Sequence, residues 1–250
     1  MPNWVYNGLT IEGNPEQVTA LVEQMNKPFV DYIKAHGDLS YGIEEIKYIN
    51  PIFSFRNIVA PTDLEAYRNQ PAQSSLPTTD DNWWADTVEV SKTDNSWYNW
   101  NIRNWGVKWD VAVAEKNTSP DTYMEGPTPN GDNLVVYYNF ETAWGVPLQA
   151  MEKLSEQYPS LLFTLSYEEE SGWGGEMEFL RGTVISQNEY NTLCKDCDAQ
   201  DTLEYCDNDC GEICSTCHWL GEADLEAVAE CDEHKEYLDT KVPEYRKAQA

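Results

Sequence analysis

The chain is short of cations. Its 250 residues carry 16 Lys and Arg and 3 His against 44 Asp and Glu, a formal charge of -28. Binding to a nucleic-acid backbone is driven by cationic side chains that displace counterions, so the surface as a whole suits nucleic acid poorly. An anionic membrane surface is disfavoured for the same reason, and no apolar run approaches the ~20 residues that a membrane helix needs. The N-terminal Met1-Pro2-Asn3-Trp4-Val5-Tyr6 lacks the basic segment and apolar stretch of a signal peptide, which predicts a soluble, cytoplasmic protein. There is no phosphate-cradling glycine loop, no dinucleotide fingerprint and no Ser/His/Asp order of note. Cysteine is absent from residues 1–190.

What is present is a chain able to bury a core, at 41% hydrophobic and 12% aromatic residues, which excludes global disorder. All seven cysteines lie in residues 191–250, and nine of the ten tryptophans lie before them. Acid is denser in that last part, which holds 16 acids and 5 bases. The shift in composition predicts a boundary near 188–193, with one domain over 1–190 and a Cys-rich module over 191–250.

Along the first domain, residues 3–12 alternate as a strand does, with Val5, Leu9 and Ile11 on one face. Asn14 and Pro15 suit the start of a helix over 15–26. A strand region runs from Ile43 to Ile58, strongest at Ile52, Phe53 and Phe55, and a short helix is expected at Leu64–Arg68. Residues 69–82 and 116–133 read as loops, with a Trp-rich segment and a strand over Val107–Ala114 between them. Leu134–Phe140 is apolar on both faces, as a central strand would be. Pro147 opens a helix to about Gln157, Leu161–Tyr167 is a further strand, and 176–185 returns as its hairpin partner. Interleaved strands, helices and hairpins predict an α+β fold, a ferredoxin-like sandwich with a large insertion over about 60–133 and a small C-terminal zinc-binding module.

Five stretches carry a family resemblance. They are Met1–Trp4, Trp100–Asp110, Phe140–Pro147, Phe163–Glu170 and Gly172–Glu176. Together, in this order, they resemble the YubB ferredoxin-like family, proteins of unassigned activity carried by bacteriophages and plasmids. The resemblance covers roughly residues 1–186. Val107 stands where the family pattern often has threonine. The resemblance implies a mobile-element protein working in a host bacterial cytoplasm. It supplies no catalytic residues.

The cysteines carry the strongest chemical signal. Cys194-x2-Cys197 and Cys214-x2-Cys217 are set 16 residues apart, a spacing that aims two pairs of thiolates at one tetrahedral zinc. Cys206-x3-Cys210 lies between them, and Cys231-x2-His234 follows on an expected helix over about 222–239. Two side chains three apart on a helix share a face. Eight ligands suffice for two structural zinc ions. A cross-braced arrangement groups Cys194, Cys197, Cys214 and Cys217 on one ion and Cys206, Cys210, Cys231 and His234 on the other. A sequential arrangement groups the first two pairs and the last two. A third has one zinc on the outer four cysteines. A closed site of four ligands leaves no position for catalysis.

Glu168, Glu169, Glu170 and Glu176 flank a glycine turn and could form a carboxylate site, although a solvated hairpin end accounts for them equally well. The Trp97–Trp109 run could stack unpaired bases, but tryptophan is mostly buried, so core is the default. The function expected is that of a non-enzymatic, acidic binding protein that engages a host bacterial protein, occupying a basic, nucleic-acid-binding surface. The alternatives are a nucleic-acid-binding module that uses zinc knuckles and a Trp patch, and a carboxylate enzyme.

Overall fold

The computed structural model describes residues 3–34, 43–63, 67, 95–112, 122–192, 194, 199–201, 203–205, 212–214, 216, 228, 230 and 231. The chain divides into two compact units, residues 1–170 with 176–188 and residues 171–175 with 189–250.

The first unit begins with β1 (Trp4–Gly13), whose buried residues alternate as Val5, Asn7, Leu9 and Ile11. Asn14 ends the strand and starts α1 (Pro15–Met25). Its side-chain oxygen accepts the Glu16 N–H at 2.9 Å, and Pro15 takes a position where a missing N–H costs nothing. Val18, Leu21 and Met25 form the buried stripe of α1, at the spacing that 3.6 residues per turn dictates.

The chain then passes through β2 (Phe29–Lys34) and β3 (Ile43–Tyr48), an antiparallel pair closed by Phe29 stacked on Tyr48 at 4.5 Å. The helices α2 (Phe55–Ile58) and α3 (Trp97–Trp105) come after them among the described residues. Next come β4 (Tyr123–Asn130), β5 (Asn133–Ala143), α4 (Leu148–Gln157) and β6 (Leu162–Glu169). The sheet ends in β7 (Gly174–Leu180) and β8 (Thr183–Tyr190).

Six strands form one sheet in the order β4-β5-β1-β6-β7-β8. β1 lies antiparallel to both β5 and β6, and β4 lies antiparallel to β5. The run β1-α1, β4-β5-α4-β6, with spatial order β6-β1-β5-β4, is the ferredoxin-like α+β arrangement, here extended by β7 and β8. One face of the sheet is buried with the stripes of α1 and α4 (Ala150, Met151, Leu154). Aromatic contacts continue that core outward. Phe53 stacks on Phe140 at 5.0 Å, Phe55 meets Trp105 at 6.0 Å, and Trp105 meets Trp100 edge-on at 5.5 Å.

Several sequence expectations are corrected. Residues 123–130 form an edge strand rather than part of a loop. Pro127 and Pro129 obscure it, yet an edge strand tolerates residues with no N–H, and the register shifts between Glu125 and Thr128. Residues 176–185 are not one strand, because Arg181 (φ 54°) and Gly182 (φ 80°) form a two-residue turn between β7 and β8. Positive φ at both central positions matches the right-handed twist of a hairpin. The strand region expected within Ile43–Ile58 is β3 (Ile43–Tyr48), while its expected strongest part, Ile52, Phe53 and Phe55, forms no strand. The Ser54 hydroxyl accepts the Arg56 N–H at 3.1 Å and starts α2, leaving Phe53 and Phe55 buried on either side of the cap.

No strand forms over the described residues 107–112. The Trp-rich segment holds the helix α3, whose buried side is Trp100, Asn101 and Trp105. Loop 69–82 and most of the Leu64–Arg68 helix lie outside the described residues, although Tyr67 is helical.

In the second unit, β9 (Leu203–Tyr205) pairs antiparallel with β10 (Glu212–Cys214). Ahead of this pair the Cys194 N–H donates to the Ala199 carbonyl at 3.0 Å, and the Asp201 N–H donates to the Thr192 carbonyl at 2.8 Å. The Asp201 carboxylate also accepts the Asn191 and Thr192 N–H groups, at 2.6 and 3.1 Å. Val228 and Glu230 are helical.

Candidate functional site

The face of the sheet opposite the core follows from the strand register. Because side chains alternate, Trp4, Tyr6, Gly8, Thr10 and Glu12 of β1 point away from Val5, Leu9 and Ile11. Their cross-strand partners share that face. Tyr6 lies between Glu141 and Glu168, Gly8 between Asn139 and Ser166, and Thr10 between Tyr137 and Thr164. β4 adds Tyr123 opposite Asn139 and Glu125 opposite Tyr137. Tyr6 is 48% exposed and Tyr123 41%.

This open face is aromatic and anionic. The six strands contain eight glutamates, one each on β1, β4, β5 and β8 and two each on β6 and β7, of which Glu169 is buried on the core face, and no lysine, arginine or histidine. The potential shows in its tyrosines. Partial burial, and then the carboxylates of Glu141 and Glu170, raise the Tyr6 hydroxyl above its ordinary pKa. Burial, Tyr123 and Glu125 do the same to Tyr137. Both hydroxyls therefore stay protonated at neutral pH and face a partner as uncharged rings with a donor at the tip.

At one end of the face the aromatics thicken. Trp4 packs on Trp109 with ring centres 6.1 Å apart, and the Lys108 ammonium sits 4.5 Å over the Trp109 ring. Nearby, the Trp144 N–H donates to the Asn3 carbonyl at 3.0 Å. Trp144 is 59% exposed and holds φ at 72°. A bulky residue in the left-handed region is strained by about 1–3 kcal/mol, and such strain concentrates at functional positions.

Behind the face, Asn7 is buried on the core side. Its amide donates to the Val5 carbonyl, to the Phe140 carbonyl and to Thr142 Oγ1, at 2.8, 3.3 and 2.9 Å. Thr142 Oγ1 passes the chain on to the Gly145 carbonyl at 2.7 Å. These bonds tie β1 to the Trp144 turn.

Asp110 does similar work under Trp109. Its carboxylate accepts from Ser54 Oγ at 2.5 Å and from the N–H groups of Phe55, Arg56 and Val111 at 2.8, 3.3 and 2.8 Å. The residue keeps some exposed surface, but the carboxylate is enclosed. Burial raises its pKa, and the donors pull in the opposite direction.

The expected zinc ligands fall in the second unit. Cys194, Cys214 and Cys231 are buried thiols at 0%, 0% and 5% exposure. The Cys194–Ala199 bond closes a short loop whose sequence includes Cys197, and the segment between the paired Tyr205 and Glu212 includes Cys206 and Cys210. Cys197, Cys206, Cys210, Cys217 and His234 themselves lie outside the described residues. Among the described residues no group of three or more His, Cys, Asp or Glu is placed to hold a metal.

The glutamates around the glycine turn do not all share one face. Glu168 lies on the open face beside Tyr6, whereas Glu169 is buried on the core face at 3% exposure. Of the Trp97–Trp109 run, Trp100 and Trp105 are core and Trp97 and Trp109 are exposed. Sequence reasoning did not single out Tyr6, Tyr123, Tyr137 or Trp144. The signal available was the absence of any cation from strand after strand.

No helix among the described residues is long and apolar enough to cross a membrane. No curated protein matches the chain. The crystal structure of protein api92 from Yersinia pseudotuberculosis is similar at 12% identity, covering 78% of this chain and 100% of that one with a TM-score of 0.35. Residues 128–207, from within β4 to just past β9, are similar to the family model described as the ferredoxin-like domain in Api92-like protein, in keeping with the ferredoxin-like α+β fold of the sheet.

Proposed function

We propose that this is a non-enzymatic, acidic binding protein that engages a host bacterial protein and occupies a basic surface that would otherwise hold nucleic acid. The observation that carries this is the charge of the sheet, which presents glutamates and exposed tyrosines with no cation on any of its six strands. An anionic surface steers a cationic partner toward itself and repels nucleic acid. The resemblance of residues 1–186 to the YubB family of phages and plasmids supplies the setting, a mobile-element protein in a bacterial cytoplasm. The stretch from about residue 60 to the start of β4 at Tyr123 is then an insertion in the ferredoxin-like body, shorter than the expected 60–133 because β4 belongs to the sheet.

The C-terminal unit is a structural zinc module in this scheme, with Cys194, Cys197, Cys206, Cys210, Cys214, Cys217, Cys231 and His234 as ligands of one or two ions. Support comes from the three buried thiols in a segment whose other described buried residue is Val228. A small unit whose sequence offers few aliphatic residues needs a staple. Zinc would supply folding free energy there and no chemistry.

The test is a pull-down from bacterial lysate at low and high salt. A basic protein retained at low salt, lost at high salt and blocked from its nucleic acid while bound is the expected result. Retention of RNA or DNA by the protein itself would sink the proposal.

A further inference from the structure

We infer that Cys194 and Cys214 bind one and the same zinc ion and that Cys231 belongs to a second, the cross-braced arrangement. This deepens the zinc reading of the C-terminal unit and rests on it. Backbone hydrogen bonds decide which of the three thiols meet. Cys194 is carried toward the start of β9. Its N–H donates to the Ala199 carbonyl at 3.0 Å, a bond that brings residue 194 beside residue 199. Asp201 then locks the chain. Its N–H donates to the Thr192 carbonyl at 2.8 Å, and its carboxylate accepts the Asn191 and Thr192 N–H groups at 2.6 and 3.1 Å. Its φ of 54° is a left-handed conformation that aspartate adopts more readily than most side chains. Two residues later β9 begins at Leu203.

Cys214 arrives at that same end from the other strand. The register sets Leu203 opposite Cys214 and Tyr205 opposite Glu212. Cys194 and Cys214 are both fully buried. Cys206 and Cys210 fall, by sequence, between Tyr205 and Glu212, beyond the far end of the ladder. β9 spans about 7 Å from Leu203 to Tyr205 at the usual strand rise, whereas two thiolates on one tetrahedral zinc lie about 4 Å apart. A sequential grouping would have to bridge the length of β9 between Cys194 and the pair beyond Tyr205, while the cross-braced one needs only the Leu203 end. Cys231 closes a separate helical turn, its N–H donating to the Val228 carbonyl at 3.2 Å. Among the described residues Cys194, Cys214 and Cys231 do not form a group of three, which sets Cys231 apart from the other two. Cys197 and Cys217, the sequence neighbours of the first two ligands, complete the first ion. Cys206, Cys210 and His234 join Cys231 on the second, and these five residues lie outside the described ones.

The experiment loads the full-length protein with NMR-active cadmium in place of zinc and records which cysteine β-protons couple to which metal resonance. Two resonances are expected, one coupled to Cys194 and Cys214 and the other to Cys231. Replacing one thiolate by an imidazole keeps four ligands on the ion. Cys194→His and Cys214→His should therefore each shift the first resonance and leave the second in place, and Cys231→His should do the reverse. The wild-type couplings carry the test if a variant fails to fold. A resonance shared by Cys214 and Cys231 but not by Cys194 would overturn the inference in favour of the sequential grouping and leave structural zinc standing. A single resonance with Cys231 uncoupled would remove the second ion and overturn it as well. If the protein binds neither cadmium nor zinc, the zinc reading itself falls.

Discussion

The hydroxyl of Tyr137 fills the space that a side chain on Gly8 would need. A Cβ at Gly8 would lie 2.8 Å from Tyr137 Oη, 3.2 Å from its Cε2 and 2.8 Å from Ser166 Oγ. The ring from β5 thus lies across β1 and reaches toward β6, covering the backbone where a side chain is missing, as aromatic residues do for glycines in sheets.

Gly8→Val should therefore evict Tyr137 rather than unfold the sheet, since the obstructing atoms are ends of side chains. The gain in strand propensity, about 0.5–1 kcal/mol, offsets part of the lost contact. Mass-spectrometric mapping of tyrosine nitration should show Tyr137 becoming more reactive. Unchanged nitration at Tyr137 would show that the ring does not depend on Gly8.

Asp110→Ala should cost about 2–3 kcal/mol in urea unfolding, because it orphans the donors that start α2. Burial raises the Asp110 pKa, so the folded state holds its proton more tightly than the unfolded chain. The contribution of this group to stability is then full below 3.8, the ordinary value, and falls as pH rises from there through the raised value. Asp110→Asn should remove that component of the acid-side pH profile. A wild-type profile identical to that of Asp110→Asn would exclude any shift.

Thr142→Val should cost about 1 kcal/mol, and so should Asn7→Leu after offsetting its gain in apolar burial. The two share a hydrogen bond, so the double variant should lose less than the sum. Strict additivity in a thermal-unfolding cycle would show that the bond contributes nothing.

For the C-terminal unit, protein purified without chelator should contain one or two zinc ions per chain. Chelation should raise hydrogen exchange across 191–240 and leave β1, β5 and β6 protected. Cys214→Ser should do the same. Cys231→Ser should match it if two ions bind and be mild if one does. Full protection after complete metal removal would defeat structural zinc. A chain ending at Asn191 should still unfold cooperatively, because β8 closes at Tyr190.

The helices α1 and α4 and the strands β1, β5 and β6 were readable because period and burial agree in them. Val5, Leu9 and Ile11 alternate, while Val18, Leu21 and Met25 follow the helical turn. Reading failed where a single polar contact decides. Ser54 caps a helix inside what looks like a strand, and Arg181 adopts positive φ where glycine or asparagine is the usual marker. β4 was hidden by prolines that only an edge position allows. The open face was invisible for a different reason. Its tyrosines come from β1, β4 and β5, and only the register brings Tyr6, Tyr123 and Tyr137 onto one surface. The proposed zinc ligands rest on spacing alone, and five of the eight lie outside the described residues.

β1 precedes the other described strands and sits at the middle of the sheet, yet its partners β5 and β6 begin only at Asn133 and Leu162. Thr10 pairs with Tyr137, and Leu9 pairs with Leu165. At a ribosomal rate of about 5–20 residues per second, β1 waits on the order of ten seconds with its apolar row unpaired. Such long-range pairing makes folding slow. The N-terminal half cannot therefore assemble this sheet as it emerges, and a nascent chain stalled before residue 133 would expose Val5, Leu9 and Ile11 to whatever holds unfolded chains in the cell.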